Sequence, residues 1–297
     1  MTSAARQLSD RHLADAYPAD PGRTDLPVPG RHDSRQLVML PGWALGVMPL
    51  EPLADALRQD LPGWEITLLD YAALTSPEGG RLACHDVDAW LAALDRELPD
   101  GTWLCGWSLG GMLATALAAR RGQRTPGLIT LAANASFVAR QGWPAAMAAE
   151  TFAAFRQGFQ RAPARTLERF AQLVAQQGNA PRRPAGSRLA RELCVACADT
   201  PQEQALAGLA LLETLDLRET LGLLSAAQLH LFAADDALVP GGACEAVTDC
   251  LPAAGRAERI AAAGHAFPLE RASEVAARLV AFITSNRVEH ADVGSRP

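Results

Sequence analysis

The stretch "TWLCGWSLGGMLATALAAR", residues 102–120, constrains the fold more than any other. Strand-like residues lead into Gly106, Ser108 stands between Gly106 and Gly110, and a run of small and apolar residues at helical spacing follows. A strand that turns at once into a helix forces the residue at the corner into a strained conformation. Its neighbours must then lack a Cβ or clash. The glycines are therefore read as the condition for holding a hydroxyl at the end of a strand.

The remaining segments supply partners for such a corner. "QLVMLPGW" (36–43), "EITLLDY" (65–71), "GLITLAAN" (127–134), "AQLHLFAAD" (227–235) and "AERIAAAGH" (257–265) read as strands or strand ends. "HDVDAWLAALDREL" (85–98) and "RASEVAARLVAFITSN" (271–286) read as helices. Strands alternating with helices predict a mostly parallel central sheet with helices on both faces. From about 140 to 216 the pattern is almost wholly helical, rich in Ala and Arg. A helical insertion between two strands predicts a cap over the carboxyl edge of the sheet, where α/β folds bind ligands. The expected organisation is a flexible extension over 1–35, a core from 36–139 and 217–286, a cap over 140–216 and a tail over 287–297.

Composition removes several chemistries. All 27 basic residues are arginine, which excludes Schiff bases, Ser-Lys dyads and the lysine of a P-loop. No metal or cofactor is called for, and no apolar run is long enough to span a bilayer. The first 33 residues lack the apolar stretch of a secretory signal, and their acids argue against a transit peptide. Six scattered cysteines fit the reducing cytoplasm. Cys194 and Cys197 have redox-motif spacing, but "ELCVACAD" reads as helix with no strand before it.

Serine and histidine chemistry remains. An elbow serine needs a base to take its proton, and the base needs a carboxylate to fix its tautomer. The glycine-serine-glycine corner resembles the nucleophile elbow of α/β-hydrolases, in which the order along the chain is Ser, acid, His. His12, His32 and His290 lie in the expected tails, while His85 precedes a helix and His230 sits within a strand. His265, after Gly264 between the last strand and the last helix, stands where the base must emerge. "LFAADDALVP" offers Asp236 as the acid, with Asp235 as the alternative. The oxyanion of a tetrahedral intermediate needs two N–H donors. These are assigned to Leu109, after the serine, and Trp43 in "LPGWALG", with Trp43 and Trp107 as apolar walls.

Charge is uneven. Residues 140–191 hold nine arginines against two acids, a net of +7, which leaves −13 of the total −6 for the rest. A concentrated basic segment on an acidic chain suggests an acidic partner. The absence of a binding motif and the overall charge argue against nucleic acid.

From about 36 to 285 the chain resembles the pimeloyl-[acyl-carrier protein] methyl ester carboxylesterases of biotin synthesis, the BioH type. The resemblance is carried by "GWSLGG", "RTLERF", "LETLDLRETL", "DALVP" and "AGHAFP". It implies an α/β-hydrolase fold with Ser108 as nucleophile, Asp236 and His265 as its partners, and Trp43 and Leu109 at the oxyanion and substrate site. It further implies Phe170 to Val174 as the acyl-binding part of the cap. Arg165 and Arg169, together with Arg182, are the contacts it implies for an acidic acyl-carrier protein bearing a methyl-esterified chain. The enzyme would be a cofactor-free cytoplasmic monomer acting away from membranes. Pro41 stands where the family usually has His, and "NAPRRPAGSR" after Gly178 matches poorly. A broad short-chain esterase with the same three residues, or a non-catalytic binding protein on this fold, are the alternatives.

Overall fold

A computed structural model describes residues 34–76, 79–176 and 188–292, with the side chains of 288–292 excepted. The extension up to residue 33 and the expected carrier contact Arg182 lie outside the described residues. Among the described residues six strands form one parallel sheet: β1 (Gln36–Leu40), β2 (Glu65–Leu68), β3 (Trp103–Trp107), β4 (Gly127–Leu131), β5 (Ala227–Ala233) and β6 (Arg256–Ile260), in the order β2-β1-β3-β4-β5-β6. The sequence explains which strands are central. Every residue of β3 and β4 is buried, as expected of strands covered on both faces. The edge strands carry charge instead, with Glu65 on β2 and Arg256, Glu258 and Arg259 on β6. Most of their positions are open or half-open to solvent.

Helices α1 (Glu51–Asp60) and α11 (Ala272–Asp292) pack together on one face of the sheet. On the other lie α2 (Val87–Arg96), α3 (Leu109–Arg121), α8 (Arg218–Leu223) and α9 (Ala243–Cys250). The short α10 (Phe267–Glu270) follows the last strand. Between β4 and β5 come α4 (Ala149–Arg161), α5 (Pro163–Val174), α6 (Arg188–Ala198) and α7 (Gln202–Thr214). These are the helices expected over 140–216, but the stretch before Ala149 is not helical. There Arg140 pairs with Trp143, Val138 with Met147 and Ser136 with Asp216 as isolated bridges. Arg140 donates to Ser136 Oγ (2.8 Å), and Arg218 donates to Gln141 O (2.9 Å), which ties the segments entering and leaving the helical insertion together. The final helix also runs six residues past the expected end at Asn286, to Asp292.

Candidate active site

Ser108 lies at the corner between β3 and α3 with φ 55° and ψ −119°. A non-glycine residue there carries strain of about 1–3 kcal/mol, which the surroundings must hold. They do so through the backbone: Ser108 N donates to Leu131 O (2.8 Å), and its carbonyl accepts from Gly111 N (2.9 Å) and Met112 N (3.2 Å). The glycines permit the packing. A Cβ on Gly106 would lie 2.2 Å from Gly110 O, and one on Gly110 would lie 2.3 Å from Leu40 O. The elbow is thereby pressed against the loop that follows β1, and Ser108 retains only 8% exposure.

His265 and Asp236 meet at the same edge. His265 Nδ1 is 2.7 Å from Asp236 Oδ2, and the two side chains are 0% and 1% exposed. A carboxylate only accepts, so the imidazole carries its proton on Nδ1 and keeps a lone pair on Nε2. The other carboxylate oxygen accepts from Leu238 N (2.8 Å) and Val239 N (3.0 Å), which fixes the side chain's rotation. Asp235, the alternative acid, is exposed, and its backbone N–H donates to Ala263 O (2.9 Å). The geometry therefore pairs His265 with Asp236. His265 Nε2 is buried with no hydrogen-bond partner among the described residues.

Trp107, the residue before the serine, is wholly buried, and its Nε1 donates to His265 O (3.1 Å). Its ring centroid lies 5.8 Å from that of His265, so Trp107 joins the histidine loop to the elbow. Leu109 opens α3, where an N–H has no acceptor within the helix. Trp43 is buried, and its ring meets Phe170 edge-on at 4.8 Å and Phe155 and Phe159 at 5.5 Å each. Phe170 and Val174 lie on the buried face of α5, while Arg165 and Arg169 lie on its exposed face.

The basic segment is less free than its count suggests. Arg156 pairs with Glu213, Arg188 with Glu192, and Arg140 is spent on Ser136 and Glu213 O. The structure also reveals residues that the sequence did not single out. Tyr71, Gln204, Ala205 and Gly208 surround the loop after β1 and, with Trp43 and Leu109, line a cavity of about 30 Å³. No group of three or more His, Cys, Asp or Glu suited to a metal occurs among the described residues. No helix among them is long and apolar enough to cross a membrane.

Known proteins share this architecture. Residues 37–278 match the model of the alpha/beta hydrolase family. The chain is 36% identical over 251 residues to the pimeloyl-[acyl-carrier protein] methyl ester esterase of Xanthomonas axonopodis pv. citri, covering 84% of this chain and 95% of that one. It is 37% identical over 211 residues to the biotin biosynthesis bifunctional protein BioHC of Cellvibrio japonicus, covering 71% of this chain but only 40% of that longer relative. Among solved structures, the bromoperoxidase from Bacillus anthracis superposes with a TM-score of 0.72 at 17% identity, covering 84% of this chain and 91% of that one. At that identity the likeness speaks for the fold alone. The chain belongs to the α/β-hydrolase family and, within it, to the pimeloyl-[acyl-carrier protein] methyl ester esterases.

Proposed function

We propose that the chain is a serine carboxylesterase that hydrolyses the methyl ester of a pimeloyl chain borne by an acyl-carrier protein. The observation that carries the chemistry is the buried Asp236–His265 pair, whose free Nε2 stands at the sheet edge that holds the elbow serine. His265 Nε2 takes the Ser108 proton as Oγ attacks the ester carbonyl. The N–H groups of Leu109 and Trp43 receive the oxyanion. The tetrahedral intermediate collapses, and methanol leaves with the proton from His265. Water, deprotonated by the same nitrogen, then attacks the acyl-enzyme, and collapse of the second intermediate returns that proton to Ser108 Oγ as the free carboxylate leaves.

The names of the relatives support the substrate, and the two faces of α5 suit it. On the buried face Phe170 packs edge-on against Trp43, beside the proposed oxyanion loop, and on the exposed face Arg165 and Arg169 offer positive charge to an acidic carrier. The six cysteines are free, which accords with a cytoplasmic place of action. The test is to measure methanol released from the carrier-bound methyl ester by the purified protein and by Ser108→Ala. Release that depends on Ser108 is expected, and equal release by Ser108→Ala would remove that residue from its role.

A broad short-chain esterase using the same three residues would instead cleave p-nitrophenyl acetate readily and the carrier-bound ester poorly.

A further inference from the structure

The loop after β1 is held from above by α7, through contacts that ordinary packing does not require. Trp43 Nε1 donates to Ala205 O (2.7 Å) across 162 residues of sequence. Gln204 Nε2 donates to Tyr71 O (2.8 Å), and Tyr71 OH donates to Pro41 O (2.9 Å). All three bonds are buried, so each polar group depends on its partner. Gly208 completes the arrangement. Alanine is the better helix former in the middle of a helix, yet a Cβ at Gly208 would lie 2.6 Å from Trp43 Cδ1 and 3.3 Å from Leu109 Cδ2. The helix gives up propensity at the position where it touches both residues assigned to the oxyanion.

We propose that α7 is a working part of the oxyanion site, with Tyr71, Gln204 and Gly208 as positioning residues that hold the Trp43 N–H in place. This inference rests on the proposed esterase chemistry but not on the identity of the acyl chain. Pro41 and Trp43 flank Gly42, so bonds to Pro41 O and to the Trp43 indole fix the peptide that carries the donor from both sides. Without these contacts from α7, the Trp43 indole would lose its acceptor and Tyr71 O its donor, so the helix is part of what holds the oxyanion loop in place. Misplacing a donor weakens the transition state more than the ground state, so the loss falls on kcat and not on KM.

The test compares wild type with Tyr71→Phe, Gln204→Leu and Gly208→Ala on p-nitrophenyl acetate, recording kcat, KM, Tm and the affinity for a boronic acid that forms a tetrahedral adduct on serine. Tyr71→Phe keeps the ring packed against Trp90 and removes only the hydroxyl. The expected result is a fall of about ten-fold or more in kcat, with KM within about two-fold and a parallel loss of boronate affinity. Gly208→Ala, whose Cβ crowds the buried Trp43 ring, should lose both Tm and activity, with a fall in kcat larger than its loss of Tm accounts for, whereas Tyr71→Phe should lose activity with Tm nearly unchanged. Wild-type kcat in Tyr71→Phe and Gly208→Ala would overturn the inference, as would losses that follow Tm alone. Wild-type protein that cleaves p-nitrophenyl acetate but not the carrier-bound ester would overturn the proposed substrate while leaving this inference standing.

Discussion

Asp236→Asn removes one charge at nearly constant shape, and the structure dictates what the amide must do. Two backbone donors, Leu238 N at 2.8 Å and Val239 N at 3.0 Å, face one oxygen of the side chain. Turning the amide so that its NH₂ faces them would lose both bonds, at about 1 kcal/mol each, so that orientation is disfavoured by about 30-fold. The NH₂ therefore faces His265 Nδ1 and donates to it. The imidazole is forced into the other tautomer, with its proton on Nε2 and no lone pair for Ser108. Loss of the negative charge that stabilises the imidazolium adds to this. In Ser-His-Asp hydrolases the combined effect is about 10⁴-fold in kcat, or about 5.5 kcal/mol of barrier. Steady-state hydrolysis of p-nitrophenyl acetate, with Asp235→Asn as the companion variant, is the assay. The exposed Asp235 should tolerate the change within about two-fold, as surface substitutions do. An Asp236→Asn enzyme within about ten-fold of wild type would refute the reasoning.

Burial lowers the pKa of His230 from 6.5 to about 4, so the unfolded chain binds the proton first as pH falls; stability is fully present above pH 6.5 and is lost as pH drops toward 4. Urea unfolding should show a loss of about 2 kcal/mol between about pH 7 and pH 5 that His230→Gln removes, and an unchanged slope in that variant would contradict it. Gly106→Ala, whose Cβ would meet Gly110 O at 2.2 Å, should destabilise the fold by at least about 3 kcal/mol in chemical denaturation. Charge reversal at Arg165 and Arg169 together should lower kcat/KM on the carrier-bound ester at least about ten-fold more than on p-nitrophenyl acetate, and equal effects would favour the broad esterase.

The elbow was legible in the sequence because its constraints are local: glycines at fixed spacing, a strand before and a helix after. The sequence favoured Asp236 over Asp235 from its place in the loop after the strand, but did not reveal the two backbone donors, Leu238 N and Val239 N, that fix its side chain. Tyr71, Gln204 and Gly208 left no periodic signal, because their partners lie on elements that meet only in the folded chain. The segment before Ala149 looked helical from its composition, but bridges between Val138 and Met147 and between Arg140 and Trp143 compete for its backbone. A count of arginines likewise overstated the free charge, because internal pairs such as Arg156–Glu213 are tertiary contacts.

The most direct measurement is mass spectrometry of the protein after reaction with a fluorophosphonate, which reports a serine made nucleophilic by its neighbours. A single adduct on Ser108, lost in His265→Ala, is the expected result. An adduct on another serine, or undiminished labelling of Ser108 without His265, would contradict the catalytic role assigned to the pair.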